Sequence, residues 1–400
     1  MTLLVLAVGA VGRAGDERGG RGAMGEVVQG NNRFAADLYG RLRERPGNLF
    51  FSPYSLSTAL AMSYAGARGE TAAQMARVMH FDRPGEGLHE AFDALGQALN
   101  ADATGRGYRL SVANRLWGQS GFHILPEFLA LTRQRYGAEL ALVDFARQPE
   151  QARQQINEWV EGRTQGKITD LIPSGLFQPT TRLVLTNAVY FKGDWSRPFD
   201  KSATREEPFH ISAGREVRVP LMHRLDRLDY FEGDGLKVVG LPYGKGDLSM
   251  FVLLPDAADG LAELEGRLSA ENLAKWLGGV RSRRVDVALP RFKLTSQFSL
   301  ASALKSLGMD LAFDAQKADF SGVATQEQLY IAAVVHKAFV AVDEEGTEAA
   351  AATGVVAGAR AAAVPQKPAV FRADHPFVFL IRDNRTGSLL FLGRVTDPKG

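Results

Sequence analysis

The chain has 400 residues, 45% of them hydrophobic, enough to bury a large core as one big domain or as two or three smaller ones. Its 47 basic and 45 acidic residues nearly cancel, so no general affinity for nucleic acid is expected. The absence of cysteine excludes disulfides, iron–sulfur clusters and thiolate zinc sites, while leaving the redox compartment open.

In chain order, the apolar run at 3–11 followed by Gly12-Arg13-Ala14 has the outline of a short leader with a small-x-small cleavage site, although no basic residue precedes it. Residues 1–26 are therefore expected to be a signal peptide or a disordered N-terminal segment, with 15–25 disordered. A leader would give an extracellular or periplasmic address, and a cytoplasmic one is the alternative. The run is too short to span a bilayer, and no later stretch of about 18 residues lacks charges or breakers, so no membrane partner is expected.

Helical patterns dominate 27–166. Phe34, Leu38 and Leu42 recur at helical spacing, 55–64 is an apolar helix, and Ile156, Trp159 and Val160 share one face of another. The clusters Arg41, Arg43, Arg45 and Arg281, Arg283, Arg284 lack interleaved aromatics and read as solvated faces. Strands take over later, at 183–191, 248–254, 285–289, 329–342, 376–381 and 389–395, all rich in β-branched and aromatic residues. Helices first and strands afterwards predict an α+β fold with large, mostly antiparallel sheets.

Between the last strands lies an unusual stretch, 344–364. Glu344-Glu345-Gly346-Thr347-Glu348 closes an apolar run, and Ala349, Ala350, Ala351, Ala352 and Thr353 lead into glycine, valine and more alanine. Nothing in it is bulky enough to anchor a core, so it is expected to be an exposed loop; a flexible linker or a solvated helix is the plainer reading. Only 36 residues follow Val364, too few for a further domain, so the strands on both sides belong to one core. Extended, the stretch would place Thr347, Ala349, Ala351 and Thr353 on one face and the charge of Glu348 on the other, so it could slide between two strands without burying a charge.

Catalytic signatures fail one after another. Gly118-Gln119-Ser120-Gly121 has Phe122 where a nucleophile elbow needs glycine. Residues 162–167 have three residues between glycines where a phosphate loop needs four, with Ile168 where a hydroxyl should follow the lysine. Gly233-Asp234-Gly235 lacks the third glycine of a dinucleotide fingerprint, and the seven histidines show no helical metal spacing. A Ser-His-Asp site assembled from distant segments has no local signature in its favour. No cofactor and no enzyme activity are expected.

Several blocks in order resemble the serpins. Asn48-Leu49-Phe50-Phe51-Ser52-Pro53-Tyr54-Ser55 is similar to the segment that begins the family's central helix. Ile156-Asn157, Trp159-Val160-Glu161, Gly166-Lys167-Ile168 and Asp170-Leu171-Ile172-Pro173 resemble the helix that lies across the main sheet. Thr186-Asn187-Ala188-Val189-Tyr190-Phe191-Lys192-Gly193, Ala373-Asp374-His375-Pro376-Phe377 and Gly393-Arg394-Val395 extend the likeness, and 344–353 resembles the hinge of inhibitory members.

The resemblance implies a single serpin domain over 27–400, monomeric, that inhibits serine proteases as a suicide substrate. The protease cleaves the exposed loop at 344–364 and forms an acyl-enzyme, and the freed loop inserts into the main sheet before hydrolysis is complete. Counting from the hinge glycine places Arg360 before the scissile bond and Ala361 after it, which implies a trypsin-like target; a shift of one residue would put Ala359 or Ala361 at the cut and favour elastase-like or subtilisin-like enzymes. By motif, Ser52, Ser55, Asn187 and His336 fall at the shutter where the sheet opens. Trp195 falls at the breach where the loop enters, with Glu344 expected to pair with Arg291 or Lys293. A non-inhibitory carrier, storage or chaperone role is the rival reading. Asn384-Arg385-Thr386 is formally a glycosylation acceptor but falls in an expected tight turn.

Overall fold

The computed structural model describes residues 11–82, 85–100, 107–138, 140–326, 328–347 and 367–400, with side chains from residue 22 onward. The N-terminal half is built from helices α1 (Val11–Leu42), α2 (Pro53–Tyr64), α3 (Gly69–Met79), α4 (Glu86–Asn100), α5 (Pro126–Tyr136) and α6 (Pro149–Arg163), interleaved with strands β1 (Leu49–Phe51), β2 (Tyr108–Gln119) and β3 (Ala141–Val143). Then follow β4 (Leu183–Asp194), β5 (Arg205–Ser212), β6 (Arg215–Gly233), β7 (Leu236–Tyr243) and β8 (Leu248–Pro255), helices α7 (Leu261–Gly266) and α8 (Ala270–Gly278), β9 (Arg281–Pro290), β10 (Phe292–Ser299), α9 (Ala301–Ser306) and β11 (Ile331–Val342). A two-residue strand β12 (Gly346–Thr347) precedes the closing strands β13 (Ala369–Arg372), β14 (Phe377–Asp383) and β15 (Leu389–Val395).

These strands form two sheets. One runs β1-β15-β14-β8-β7-β6-β9-β13, with β5 on β6; the other runs β10-β11-β12-β4-β2-β3, with β11 also paired directly to β4. All pairs in the second sheet are antiparallel except β11 with β4 and β2 with β3. An antiparallel strand added between the parallel neighbours β4 and β11 would give each an antiparallel partner, and β12 already pairs antiparallel with both.

The burial pattern explains why β4 carries no alternation. Its first nine residues are all buried, because each face is covered. On one face α6 and the segment after it pack through Ile156, Val160, Ile168, Leu171 and Ile172 against Val184, Ala188 and Tyr190 of β4. On the other lies α2, started by Pro53 in its first turn and capped by the Ser52 hydroxyl, which accepts from the Ser55 backbone N–H at 3.2 Å. β10, at the sheet edge, alternates strictly between buried and exposed.

Two expectations are corrected. Residues 15–25, read as disordered, continue the backbone of α1: once Phe34, Leu38 and Leu42 anchor the helix in the core, adding residues at its start costs little compared with nucleation. The predominantly helical half also contains β2, a strand of 12 residues, whose polar Arg109, Ser111, Asn114 and Arg115 hide its strand character.

Candidate functional site

The site lies where β11 and β4 diverge. Direct pairing between them runs from Ile331 opposite Leu183 to Phe339 opposite Tyr190. Three residues further along, at Val342 and Gly193, Thr347 stands between them and pairs with both. The first residues of the loop are therefore seated in the sheet rather than exposed as the sequence reading expects: Glu344, Gly346 and Thr347 are all buried. The rest of the hinge (Glu348, Ala349, Ala350, Ala351, Ala352, Thr353) and the reactive-centre pair Arg360 and Ala361 lie outside the described residues.

A short turn delivers the hinge to its seat. The Asp343 carboxylate accepts from the backbone N–H groups of Glu345 (2.9 Å) and Gly346 (3.2 Å), and the Asp343 N–H donates to the Gly346 carbonyl at 2.8 Å. Only glycine fits at 346: its φ is +155°, and a Cβ would stand 2.1 Å from the Gly193 carbonyl oxygen. Trp195 clasps the turn from outside. Its indole N–H donates to the Asp343 carbonyl at 2.9 Å and its backbone N–H to the Glu345 carbonyl at 2.8 Å. Its ring stacks on Tyr243 at 4.4 Å, and the Tyr243 hydroxyl meets the Thr347 hydroxyl at 2.8 Å. Burial pushes the Tyr243 phenol far up, so it stays protonated and able to donate.

Two ion pairs hold the acids that open the hinge. Burial alone would push the Glu344 carboxyl up, but hydrogen bonds from Arg291 and Thr204, with the Arg291 charge, outweigh it and hold the group below its usual range. The Arg291 Nε–Glu344 distance is 2.7 Å. Glu345 pairs with Lys201, which the sequence reading missed along with Thr204. Of the two partners expected for Glu344, Arg291 is the one it meets, while Lys293 sits over the Phe339 ring, 5.3 Å from its centre. Within the pleat of β10 its side chain shares the exposed face that overlies β11, whereas Arg291 stands in the turn between β9 and β10.

Midway down the β4–β11 pair, the four polar residues singled out by motif come together in the core. His336 lies opposite Asn187 across the parallel pair, and Asn187 lies opposite Asn114 across β2–β4. The Ser52 backbone N–H donates to His336 Nε2 at 3.3 Å, so Nδ1 carries the proton and donates to the Asn187 side-chain carbonyl. The Asn187 amide donates to the Ser55 hydroxyl (2.7 Å) and to Asn114, and Ser55 donates to Asn114 at 3.0 Å. Ser52 donates to the Leu390 carbonyl at 2.7 Å, anchoring the cluster to the other sheet. Burial drives the His336 pKa down to about 3, so the ring is neutral at ordinary pH. Parting β4 from β11 must break the His336–Asn187 bond. Asn114 belongs to this network too, and only its place as a lone asparagine in a β strand could have signalled it.

The segment after α6 crosses the same strands. Lys337 of β11 donates to the Thr169 carbonyl at 2.8 Å and Gln297 of β10 to the Leu171 carbonyl at 2.9 Å.

Thr347 thus stands between two strands that run parallel, above a buried polar cluster that joins them. A family model described as "Serpin (serine protease inhibitor)" matches residues 29–398, and the chain belongs to that family. It is a protease-inhibitor fold and not an enzyme. The chain is 44% identical to the leukocyte elastase inhibitor of Homo sapiens over 387 residues, 94% of this chain and all of that one. Among solved structures it is similar to uncleaved ovalbumin (TM-score 0.84, 30% identity, 93% of this chain and 100% of that one). It is also similar to Serpin48 of the insect Tenebrio molitor, described as highly specific (TM-score 0.81, 34% identity, 93% and 98%).

Proposed function

We propose that the chain is a suicide-substrate inhibitor of serine proteases that traps its target by inserting residues 347–359 between β11 and β4 after cleavage. The observation that carries this reading is Thr347, seated and paired at the mouth of that gap, with a small-residue segment behind it in the sequence. Insertion is strand addition, of which serpin loops are a known case. Ladder hydrogen bonds contribute about 1 kcal/mol each and ordering the backbone costs about 1 to 2 kcal/mol per residue, so the two nearly cancel. The drive must come from an uncut state that is kinetically trapped. About a dozen residues at about 3.3 Å each carry the acylated protease about 40 Å.

The relatives' names support an elastase-like protease as the target, with Ala359 or Ala361 in place of Arg360 at the cut. Arg360 supports a second reading, a trypsin-like target, because a guanidinium pairs bidentately with a carboxylate at the base of a specificity pocket. In either case the roles of Ser52, Ser55, Asn187 and His336 as shutter, and of Trp195 and Arg291 as breach, rest on their placement around the gap. Residues 3–14, read as a leader, support an extracellular or periplasmic address, with a cytoplasmic one as the alternative.

Incubation with pancreatic elastase and, separately, with trypsin tests both points. The expected result is a complex that survives SDS with one of them, and the mass of the released C-terminal fragment gives the bond cut. Clean cleavage by both with no complex would favour a carrier or storage role.

A further inference from the structure

A strap at 195–204, running from the end of β4 to β5 with one 3₁₀ turn at Lys201–Ala203, makes a row of contacts to the hinge. Besides the two donors of Trp195, the Phe199 backbone N–H donates to the Glu344 carbonyl at 2.7 Å, Lys201 pairs with Glu345, and the Thr204 hydroxyl donates to Glu344. At its start the strap is tied by Ser196, whose N–H donates to the Pro242 carbonyl at 2.9 Å and whose hydroxyl donates to the Gly244 carbonyl at 2.6 Å. Beyond Ser196 it lies on Arg224 of β6.

Arg224 and Asp226 share the covered face of β6 with Leu228, whereas Leu225 and Arg227 between them are exposed. Their side chains are only 9% and 8% exposed. The Arg224 guanidinium lies 4.7 Å from the centre of the Phe199 ring and donates to the Arg197 carbonyl. Asp226 stands 3.7 Å from Arg224 and accepts from the Arg197 guanidinium at 2.8 Å. The buried Arg224 Nε meets no hydrogen-bond acceptor among the described residues. Burial pulls the Arg224 pKa down to about 10, more than the attraction of Asp226 offsets. Replacing a buried charge pair with well-packed apolar side chains is often neutral or stabilising, so the stability of β6 does not call for a cation here. The contacts of Arg224 to the strap do.

We infer that Arg224 is a positioning residue for loop insertion: by fixing Arg197 and Phe199 it keeps the strap where it holds residues 343–345 at the mouth of the gap between β11 and β4. These three residues precede Thr347, the first residue of the inserting segment, and so form its pivot. A strap that drifts withdraws the Phe199 N–H from the Glu344 carbonyl and lets the pivot leave the mouth. Insertion then starts later, while hydrolysis of the acyl-enzyme runs at its own rate, and more of the inhibitor is turned over as substrate. The role in insertion rests on the function proposed above; the hold on the hinge does not.

Arg224→Met keeps the bulk and removes the charge, and leaves Asp226 its bonds from the Arg197 guanidinium and from the Arg227 N–H at 2.7 Å. In the uncut protein, hydrogen exchange followed by mass spectrometry should speed up by about tenfold at 195–204 and 343–347, with β14 and β15 unchanged. Phe199→Leu, which leaves every charge in place, should give the same rise, and the double variant no more than either, because both break one link. If Arg224→Met fails to fold, Phe199→Leu still tests that link. With a protease that forms the covalent complex, the ratio of complex to cleaved inhibitor should fall by about fivefold or more, since a 1.4 kcal/mol change in a barrier is tenfold in rate. Unchanged exchange at 343–347, or exchange raised equally in β14 and β15, overturns the hold of Arg224 on the hinge. Additive effects of the two substitutions overturn the link through Phe199. Faster exchange at 343–347 with an unchanged product ratio overturns the role in insertion. If the parent forms no covalent complex at all, the proposed function fails, while the exchange data still decide whether Arg224 holds the hinge.

Discussion

Thr347→Arg places a cation in a seat built for a small hydroxyl. Thr347 is fully buried, pairs with strands on both sides and meets the Tyr243 hydroxyl at 2.8 Å. An arginine there must either drag its charge into the sheet, at an effective cost of several kcal/mol, or stay outside and block the first step of insertion. Taking only about 3 kcal/mol on the insertion barrier, the rate falls roughly 150-fold. Insertion competes with hydrolysis of the acyl-enzyme, so a fall of that size turns the inhibitor into a substrate. Thr347→Ser keeps the hydroxyl and should inhibit within a few-fold of the parent. The assay is incubation with the susceptible protease, denaturing electrophoresis to separate complex from cleaved chain, and a thermal melt of each cleaved product. Cleaved parent should melt well above the uncut protein, and cleaved Thr347→Arg should show little of that rise. If Thr347→Arg forms complex as efficiently as the parent, the insertion mechanism is refuted.

Gly346→Ala should expel the hinge from its seat, because the added methyl collides with the Gly193 carbonyl; hydrogen exchange at 343–347 should speed up by at least tenfold, and unchanged protection would show that the turn adapts. Arg291→Ala leaves the buried Glu344 carboxylate without its guanidinium and should destabilise the uncut protein by about 3 kcal/mol in denaturant titration, most of it recovered in the Arg291→Ala, Glu344→Gln double variant. His336 gives a pH signature whose sign follows from its depressed pKa. Above about 6.5 the ring is neutral folded and unfolded; below that the unfolded chain takes up a proton that the folded one refuses until near 3. Stability therefore falls with pH from this group by about 1.4 kcal/mol per unit between 6 and 4. His89, driven down to about 4 by burial and then by Arg135, adds a second such loss. His336→Gln should remove one of the two slopes, and an unaltered pH profile would mean the ring is not held neutral.

The sequence alone determined much of this molecule. The helical spacing of Phe34, Leu38 and Leu42, the Ser52-Pro53 start of α2, and the β-branched runs that became β4, β8, β11, β14 and β15 are local signals, set by propensity and periodicity within one element. The small, uncharged composition after Thr347 is likewise visible without coordinates. β2 was hidden because four polar residues dilute its pattern, and of these Asn114 and Arg115 answer to neighbours far away in sequence. The partner of Glu344 could not be read either: Arg291 and Lys293 are two residues apart, and the turn after β9 sends one to the carboxylate while the pleat of β10 lays the other on Phe339. The same holds for the buried network of Ser52, Ser55, Asn114, Asn187 and His336, which brings together residues from α2, β2, β4 and β11 and its flank. Each is an ordinary polar residue in its own segment, and only the register of the sheet brings them within hydrogen-bond reach of one another. Composition could say that a strand was able to enter this sheet; where it enters, and what must break to admit it, was decided by packing.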